Sequence, residues 1–382
     1  MFGRVGRSPR RREVPLVILA GFVAPYRVPL YEQILKSVPG FQVWVSASSE
    51  SDREWEPSGG FDFVVKRLRG FSIERARLRR SGQDLHFPLG AFFDLIAVRP
   101  QSVISGEFGF RTLSACAYRI VSPSSRLVVW ATLSERTERS RSSRRNRLRR
   151  GMLRVADAVV VNGSSGAAYI RSLNSEIAVH IVHQATPRPS SPPRPRVAEA
   201  KHLSLLFVGQ LIERKGLGAT IPELAAWAAR SDRAVQLTVV GAGPLRATWA
   251  ELSAETELVI EFRGSLPYDD VLDAYEEADA LLFPSLEDEW GLVVNEALQA
   301  GRPVVGGVHA QAVQCLVHEG VNGVIFDPDQ PAEIHAAMDR LVDLLSGDPA
   351  ELMATCMESI RGVSIDSMSQ GLLDAAIVVK NS

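Results

Sequence analysis

Leu281–Arg302 reads LLFPSLEDEWGLVVNEALQAGR. The apolar run Leu281–Phe283 suits a buried strand and stops at Pro284-Ser285. Three acids follow, Glu287, Asp288 and Glu289, and then Trp290-Gly291 opens LVVNEALQA, which predicts a helix with Glu296 in its first turns. Gly291 lets a backbone come close to a ligand. Asp288 and Glu296 bracket the loop and the helix start, with seven residues between them. The first N–H groups of a helix lack partners and the dipole is positive there, so polar and anionic ligand atoms bind well. Carboxylates beside such a terminus are suited to accept hydrogen bonds from sugar hydroxyls. Strand, acidic loop and helix start together imply an α/β domain with a nucleotide-sugar site.

The alternation extends outward from this stretch. Strand-like runs recur at Leu16–Ala20, Phe41–Val45, Ser102–Ser105, Leu127–Trp130 and Ala158–Asn162, separated by helix-like stretches such as Pro29–Ser37, Gly109–Val121 and Ser164–Leu173. A second series starts at Leu203 with LSLLFVG, LTVVG, LVIEFRG, ALLFPS, PVVGG and VIFD. This order predicts two parallel sheets with helices on both faces. Between the series, Thr186–Ala200 holds five prolines, which disfavour helix and strand alike and mark a hinge or linker. The expected domains are 1–188 and 201–360, with a linker at 189–200 and a helix within 361–382. Two doubly wound domains would face each other across a cleft at their strand C-termini, where ligands bind.

Composition bounds the reading. A chain of 382 residues fits two to three domains, and 46% hydrophobic residues supply packed cores. A net charge of −1 argues against a nucleic-acid partner. Cys116, Cys315 and Cys356 are odd in number and form no CxxC pair, which points to a reducing, cytoplasmic compartment and away from disulfides or a zinc cluster. Five arginines in Arg4–Arg12 precede the apolar Pro15–Ala24 and imitate a secretion signal. Phe22 would occupy the minus-three position of a cut after Ala24, a place for small residues. The expectation is therefore a disordered basic leader, 1–13, ahead of a first buried strand. No apolar run approaches the length of a membrane span.

Phe283–Val305, FPSLEDEWGLVVNEALQAGRPVV, resembles the carboxylate signature of the retaining family-four glycosyltransferases, which have the GT-B fold, and Gly21–Pro29 resembles the stretch before the first helix in bacterial exopolysaccharide-type members. The family usually pairs two glutamates with seven residues between them. Glu296 matches the second, and the first falls on Asp288, as in a subset of the family. Leu206–Gly216, LFVGQLIERKG, resembles a second motif: Gln210 replaces a usual arginine, while Arg214 and Lys215 match the diphosphate-binding pair. Thr238–Arg246, TVVGAGPLR, and Phe262–Ser285 follow in the family order. The likeness is strong over Leu205–Pro328 and weaker in the first half.

The resemblance implies metal-independent transfer of a hexose, with retention, from a nucleoside diphosphate sugar to a glycan or polyprenyl-linked glycan, and no cofactor. Asp288, Arg214 and Lys215 would be catalytic. Gly209, Arg214, Lys215, Gly241, Ser265, Leu266, Asp288, Trp290, Gly291, Leu292, Val293 and Glu296 would line the donor site. Glu296 would meet the ribose, Asp288 the donor sugar, and Gly264–Pro267 the base. Asp327-Pro328-Asp329 has DxD form, but in this family that turn opens a helix and holds no metal. Tyr26, Arg27, Glu107 and Thr132 would face the acceptor.

Plainer readings stand beside these. Arg214-Lys215 could be an exposed basic turn, Glu296 a helix-start acid, Tyr26-Arg27 loop packing, Glu107 a solvated acid and His309 a surface histidine. Gly241-Ala242-Gly243-Pro244 lacks the third glycine of a dinucleotide fingerprint. Glu287 and Glu289 read as solvated loop charges. Arg136–Arg154 carries nine arginines and one acid, Glu138, either as a solvated face or as a contact for anionic membrane on the inner leaflet. A sugar-nucleotide epimerase and a non-catalytic glycan- or lipid-binding member remain as alternative functions.

Overall fold

The computed structural model describes residues 14–47, 60–73, 85–139, 142–189, 191–199, 201–254, 256 and 258–376. The expected leader, 1–13, lies outside the described residues. The first domain is built on β1 (Leu16–Ala20), β2 (Gln42–Val45), β3 (Val64–Arg67), β6 (Ser102–Gly106), β7 (Arg126–Ala131), β8 (Ala158–Val161) and β9 (Ala178–Ile181); β4 (Phe71–Ile73) and β5 (Leu85–Phe87) form a separate antiparallel pair. The seven strands are parallel, in the order β3-β2-β1-β6-β7-β8-β9. The second domain carries β10 (His202–Val208), β11 (Ala234–Val240), β12 (Val259–Gly264), β13 (Ala280–Phe283), β14 (Val304–Gly307) and β15 (Gly323–Phe326), parallel in the order β12-β11-β10-β13-β14-β15. Among the described residues helices separate most successive strands within each sheet. Runs such as LVILA and AVVV are apolar at nearly every position because a parallel sheet is covered on both faces.

Both strand orders reverse once, between β1 and β6 in the first sheet and between β10 and β13 in the second. Ligands of open α/β sheets bind at such switch points. The loops leaving these strands carry Tyr26-Arg27, Glu107, Arg214-Lys215 and Asp288–Gly291, so topology alone brings the motif residues to the carboxyl ends of the two sheets.

Two segments join the domains. In the proline-rich segment Thr186 exchanges hydrogen bonds with Gln299, and the Arg302 guanidinium donates to the Arg194 carbonyl at 3.0 Å. Helix Ile365–Ala376 packs on the first sheet, with Met368, Leu372, Ala375 and Ala376 buried in one cluster with Val128, Trp130 and Val160. Its last carbonyls, otherwise orphaned, accept from Ser102 Oγ at 2.7 Å (Ala376) and Arg126 Nε at 2.7 Å (Ala375).

The arginine-rich segment does not act as one solvated face. Helix Ser143–Val155 buries Arg149, whose Nη1 donates to Glu138 and Tyr169, each at 2.6 Å. Arg136 reaches the other domain, donating to the Leu286 carbonyl at 2.7 Å and to both oxygens of Asp329. A run of charges hides this difference, because burial of an arginine depends on partners distant in sequence. Among the described residues no helix is long and apolar enough to cross a membrane.

Candidate active site

β10 ends at Val208 and the chain turns through Gly209 to a short 3-10 turn, Glu213–Lys215. Gly209 and Gly241 lie at adjacent strand ends; Gly241 has φ +134°, and a Cβ there would meet the Gly209 carbonyl oxygen at 1.9 Å. The Arg214 carbonyl accepts from the Leu286 amide at 2.9 Å, tying this turn to the acidic loop. The Lys215 ammonium pairs with the Asp288 carboxylate, and Arg214 Nη1 lies 3.8 Å from the same oxygen. Burial would raise the Asp288 carboxyl, but Lys215 and Arg214 hold it below the usual range. Two cations and one buried acid thus share a site.

Trp290 is fully buried and fixes the loop: its indole donates to Asn295 Oδ1 at 2.9 Å, and its amide to Asp288 Oδ1. Gly291 follows at φ +105°, where a Cβ would press on the Phe283 ring at 2.8 Å. Helix Leu292–Gln299 starts here without a side-chain cap, so the first amides, those of Leu292 and Val293 included, have no side-chain partner. One turn on, Glu296 accepts from Tyr275 Oη at 3.0 Å, and burial pushes its carboxyl up to about 7. Tyr268 lies near enough for the Glu296 charge to raise its phenol further, after burial, to about 12. Ser265 and Leu266 follow β12 just before this tyrosine, Ser265 exposed and Leu266 partly buried.

The first domain faces this assembly. Glu107 follows β6 in the left-handed region at φ 62°, a strained position for a residue with a side chain. Its carboxylate accepts from the Thr132 amide at 3.2 Å and from the Thr132 hydroxyl. Burial raises the Glu107 carboxyl; the Thr132 bonds oppose this, and Glu289 of the other domain adds to it. Arg27 is committed to packing: its guanidinium lies over Trp130, 4.2 Å from the ring centroid, and donates to Gln184 at 3.0 Å, with Tyr26 beneath at 5.2 Å.

The reading of Glu289 as a solvated charge is corrected. Its carbonyl accepts from Asn162 Nδ2 at 3.2 Å and Gln311 Nε2 at 2.6 Å, and burial, then Asp288, raises its carboxyl. Asn162 is fully buried, and its Oδ1 has no partner among the described residues. His183 stacks on Trp290 at 5.0 Å and 22°. Its Nδ1 lies 2.7 Å from the Asn162 carbonyl, which can only accept, so Nδ1 carries a proton.

Gln311, Asn162, His183 and Tyr275 were not legible as site residues, since each acts through a partner far away in sequence. The spacing of Tyr268 and Tyr275, two helical turns apart before the acidic motif, was the one available signal.

His309 Nε2 lies 3.0 Å from Asp327 and 3.3 Å from Asp329. Donor atoms of these three residues fall within 4.8 Å of one another. Both oxygens of Asp329 are engaged by the Arg136 guanidinium, so one of the two acids already has a cation.

Two facing Rossmann-like domains with ligand-type loops at both switch points define the GT-B fold. Solved structures agree: the lipopolysaccharide outer core galactosyltransferase WaaB superposes with a TM-score of 0.71 at 16% identity, over 94% of this chain and 98% of that one. HepE of Anabaena in complex with UDP gives 0.70 at 15%, again over 94% and 98%. Residues 202–343 match the family described as glycosyl transferases group 1. Curated relatives align over part of the chain. The 2-deoxystreptamine glucosyltransferase of Streptomyces kanamyceticus is 33% identical over 155 residues, 39% of this chain and 37% of that protein. The D-inositol 3-phosphate glycosyltransferase of Corynebacterium glutamicum (strain R) is 31% identical over 153 residues, 38% and 36%. The chain spans little more than a third of the length of the first curated relatives it matches.

Proposed function

We propose that this chain transfers a hexose from a nucleoside diphosphate sugar to a hydroxyl of a glycan or lipid-linked glycan, with retention at the anomeric carbon. The observation that carries the reading is Arg214 and Lys215 converging on Asp288 beside an uncapped helix start. The diphosphate takes the two cations and the first amides of helix Leu292–Gln299. Lys215 then leaves Asp288, whose carboxylate accepts from hydroxyls of the donor sugar. Glu296, ionised, accepts from the ribose. Support comes from the neighbour HepE, whose structures contain UDP and UDP-glucose.

The acceptor hydroxyl enters from the first domain, beside Glu107 and Thr132. The bond from the anomeric carbon to the diphosphate oxygen breaks as a bond to the acceptor oxygen forms on the same face. The acceptor proton passes to the leaving phosphate oxygen. Charge that builds on the diphosphate is stabilised by Arg214, Lys215 and the helix start, with no metal in the step. A position on the inner face of a membrane, held by exposed arginines of helix Ser143–Val155, belongs to the same reading.

A thermal-shift screen with UDP-, GDP- and ADP-hexoses tests the donor site. One nucleotide class should raise the melting temperature of the protein and fail to do so in Arg214→Ala/Lys215→Ala. No shift with any class contradicts the reading.

A further inference from the structure

Helix Ser143–Val155 contains no acid, and Arg149 is its one buried arginine. Arg144, Arg147, Arg150 and Arg154 are exposed, and none forms an ion pair among the described residues. Arg144, Leu148 and Gly151 stand at i, i+4 and i+7, on one face of the helix. That face borders helix Phe110–Val121. A groove of about 440 Å³ runs between the two helices, with Leu113, Cys116, Leu148 and Met152 along it and Arg144 and Arg147 at its rim.

The groove is apolar where a solvated charged face would be polar. Leu148 is 49% exposed in the middle of the arginines. At the end of the neighbouring helix Ile120 and Val121 are 63% and 57% exposed. An apolar strip flanked by unpaired cations is the pattern of a surface that sits in the headgroup region of an anionic bilayer. Arginine meets lipid phosphate, and the apolar strip meets hydrocarbon.

We propose that this face docks on an anionic phospholipid bilayer, with one hydrocarbon chain in the groove at Leu148 and lipid phosphates on Arg144 and Arg147. The proposal deepens the membrane part of the functional reading and is independent of the transfer chemistry. It narrows the contact from the whole arginine run to one groove, and it assigns Arg136 and Arg149 no part in it.

Co-sedimentation of the full chain with phosphatidylglycerol-containing and pure phosphatidylcholine vesicles tests it. The wild type should sediment with the anionic vesicles alone. Arg144→Glu/Arg147→Glu should weaken that binding by about thirtyfold or more. Leu148→Gln should weaken it by about tenfold, and its deficit should persist at high salt, where charge is screened and apolar contact is not. Failure of the wild type to bind anionic vesicles, equal binding to both vesicle types, or wild-type binding by Leu148→Gln would each overturn the proposal. The substituted residues are surface groups remote from Arg214 and Lys215, so nucleotide calorimetry on the same proteins reports the transferase reading separately.

Discussion

Gln311 of the second domain donates from Nε2 to the Leu133 carbonyl of the first at 2.8 Å. The same amide donates to the Glu289 carbonyl, and its oxygen accepts from the Gly166 amide at 3.1 Å. Gly166 is the third residue of helix Ser164–Leu173, whose N-cap Gly163 offers no side chain. One buried side chain therefore caps a helix across the domain boundary and holds the acidic loop against the first domain.

Gln311→Ala removes three hydrogen bonds and leaves two backbone groups, the Leu133 carbonyl and the Gly166 amide, to find water, since the Glu289 carbonyl keeps Asn162. Each such loss costs about 1–3 kcal/mol while the groups stay buried, so the cleft should open to hydrate them. Small-angle scattering should give a larger radius of gyration with unchanged helix content. An unchanged radius would mean that the other interdomain contacts suffice.

Glu296 predicts a pH dependence. Its folded pKa of about 7 lies above the ordinary carboxylate value, so the folded protein holds this proton more tightly than the unfolded chain. The associated stability is present below the unfolded pKa and is lost as pH rises toward 7. Binding a ribose through the ionised form should reverse the shift. Nucleoside diphosphate affinity should rise with pH up to about 7, with proton release visible as a buffer-dependent enthalpy. Glu296→Gln should abolish the release; release of the same size in the variant would contradict the assignment.

Arg149 and Glu138 are 6% and 9% exposed. Arg149→Met removes one side of a buried ion pair, the guanidinium that donates to Glu138 and Tyr169, which costs about 3–5 kcal/mol. Arg144→Glu, on the surface, should change stability by about 0.5 kcal/mol or less. Urea unfolding of both variants measures the contrast. Equal midpoints would show that Arg149 is not the buried member of the series.

The central strands were readable because parallel strands covered on both faces are continuous apolar runs, as in Leu16–Ala20 and Ala158–Val161. The edge strands Val64–Arg67 and Ala178–Ile181 were not, since their outer residues are exposed and their composition is mixed. At the site, Asp288 and Glu296 were visible through spacing around Trp290-Gly291. The ion pair of Lys215 with Asp288 was invisible, because it joins residues 73 positions apart. Gln311 was hidden for the same reason: its partners, Leu133 and Gly166, belong to the other domain.

Asp288 and the basic pair should separate in function. Arg214→Ala/Lys215→Ala should weaken nucleoside diphosphate binding strongly, at about 1.5–3 kcal/mol for each charged hydrogen bond lost. Asp288→Asn should reduce turnover more than it affects nucleoside diphosphate binding, since its proposed partner is the sugar. Calorimetry with the free nucleoside diphosphate, beside a donor-consumption assay, makes the comparison. Equal loss of diphosphate affinity in both variants would argue against separate roles.

The most direct measurement is a proton NMR time course of the purified chain with UDP-, GDP- and ADP-hexoses, with water as the acceptor of last resort. One donor class should be consumed, nucleoside diphosphate and free hexose should appear together, and the hexose should emerge first in the anomeric configuration of the donor. Asp288→Asn should slow that reaction. A hexose that stays on the nucleotide with altered stereochemistry, or a folded protein that consumes none of the donors, would contradict retaining transfer.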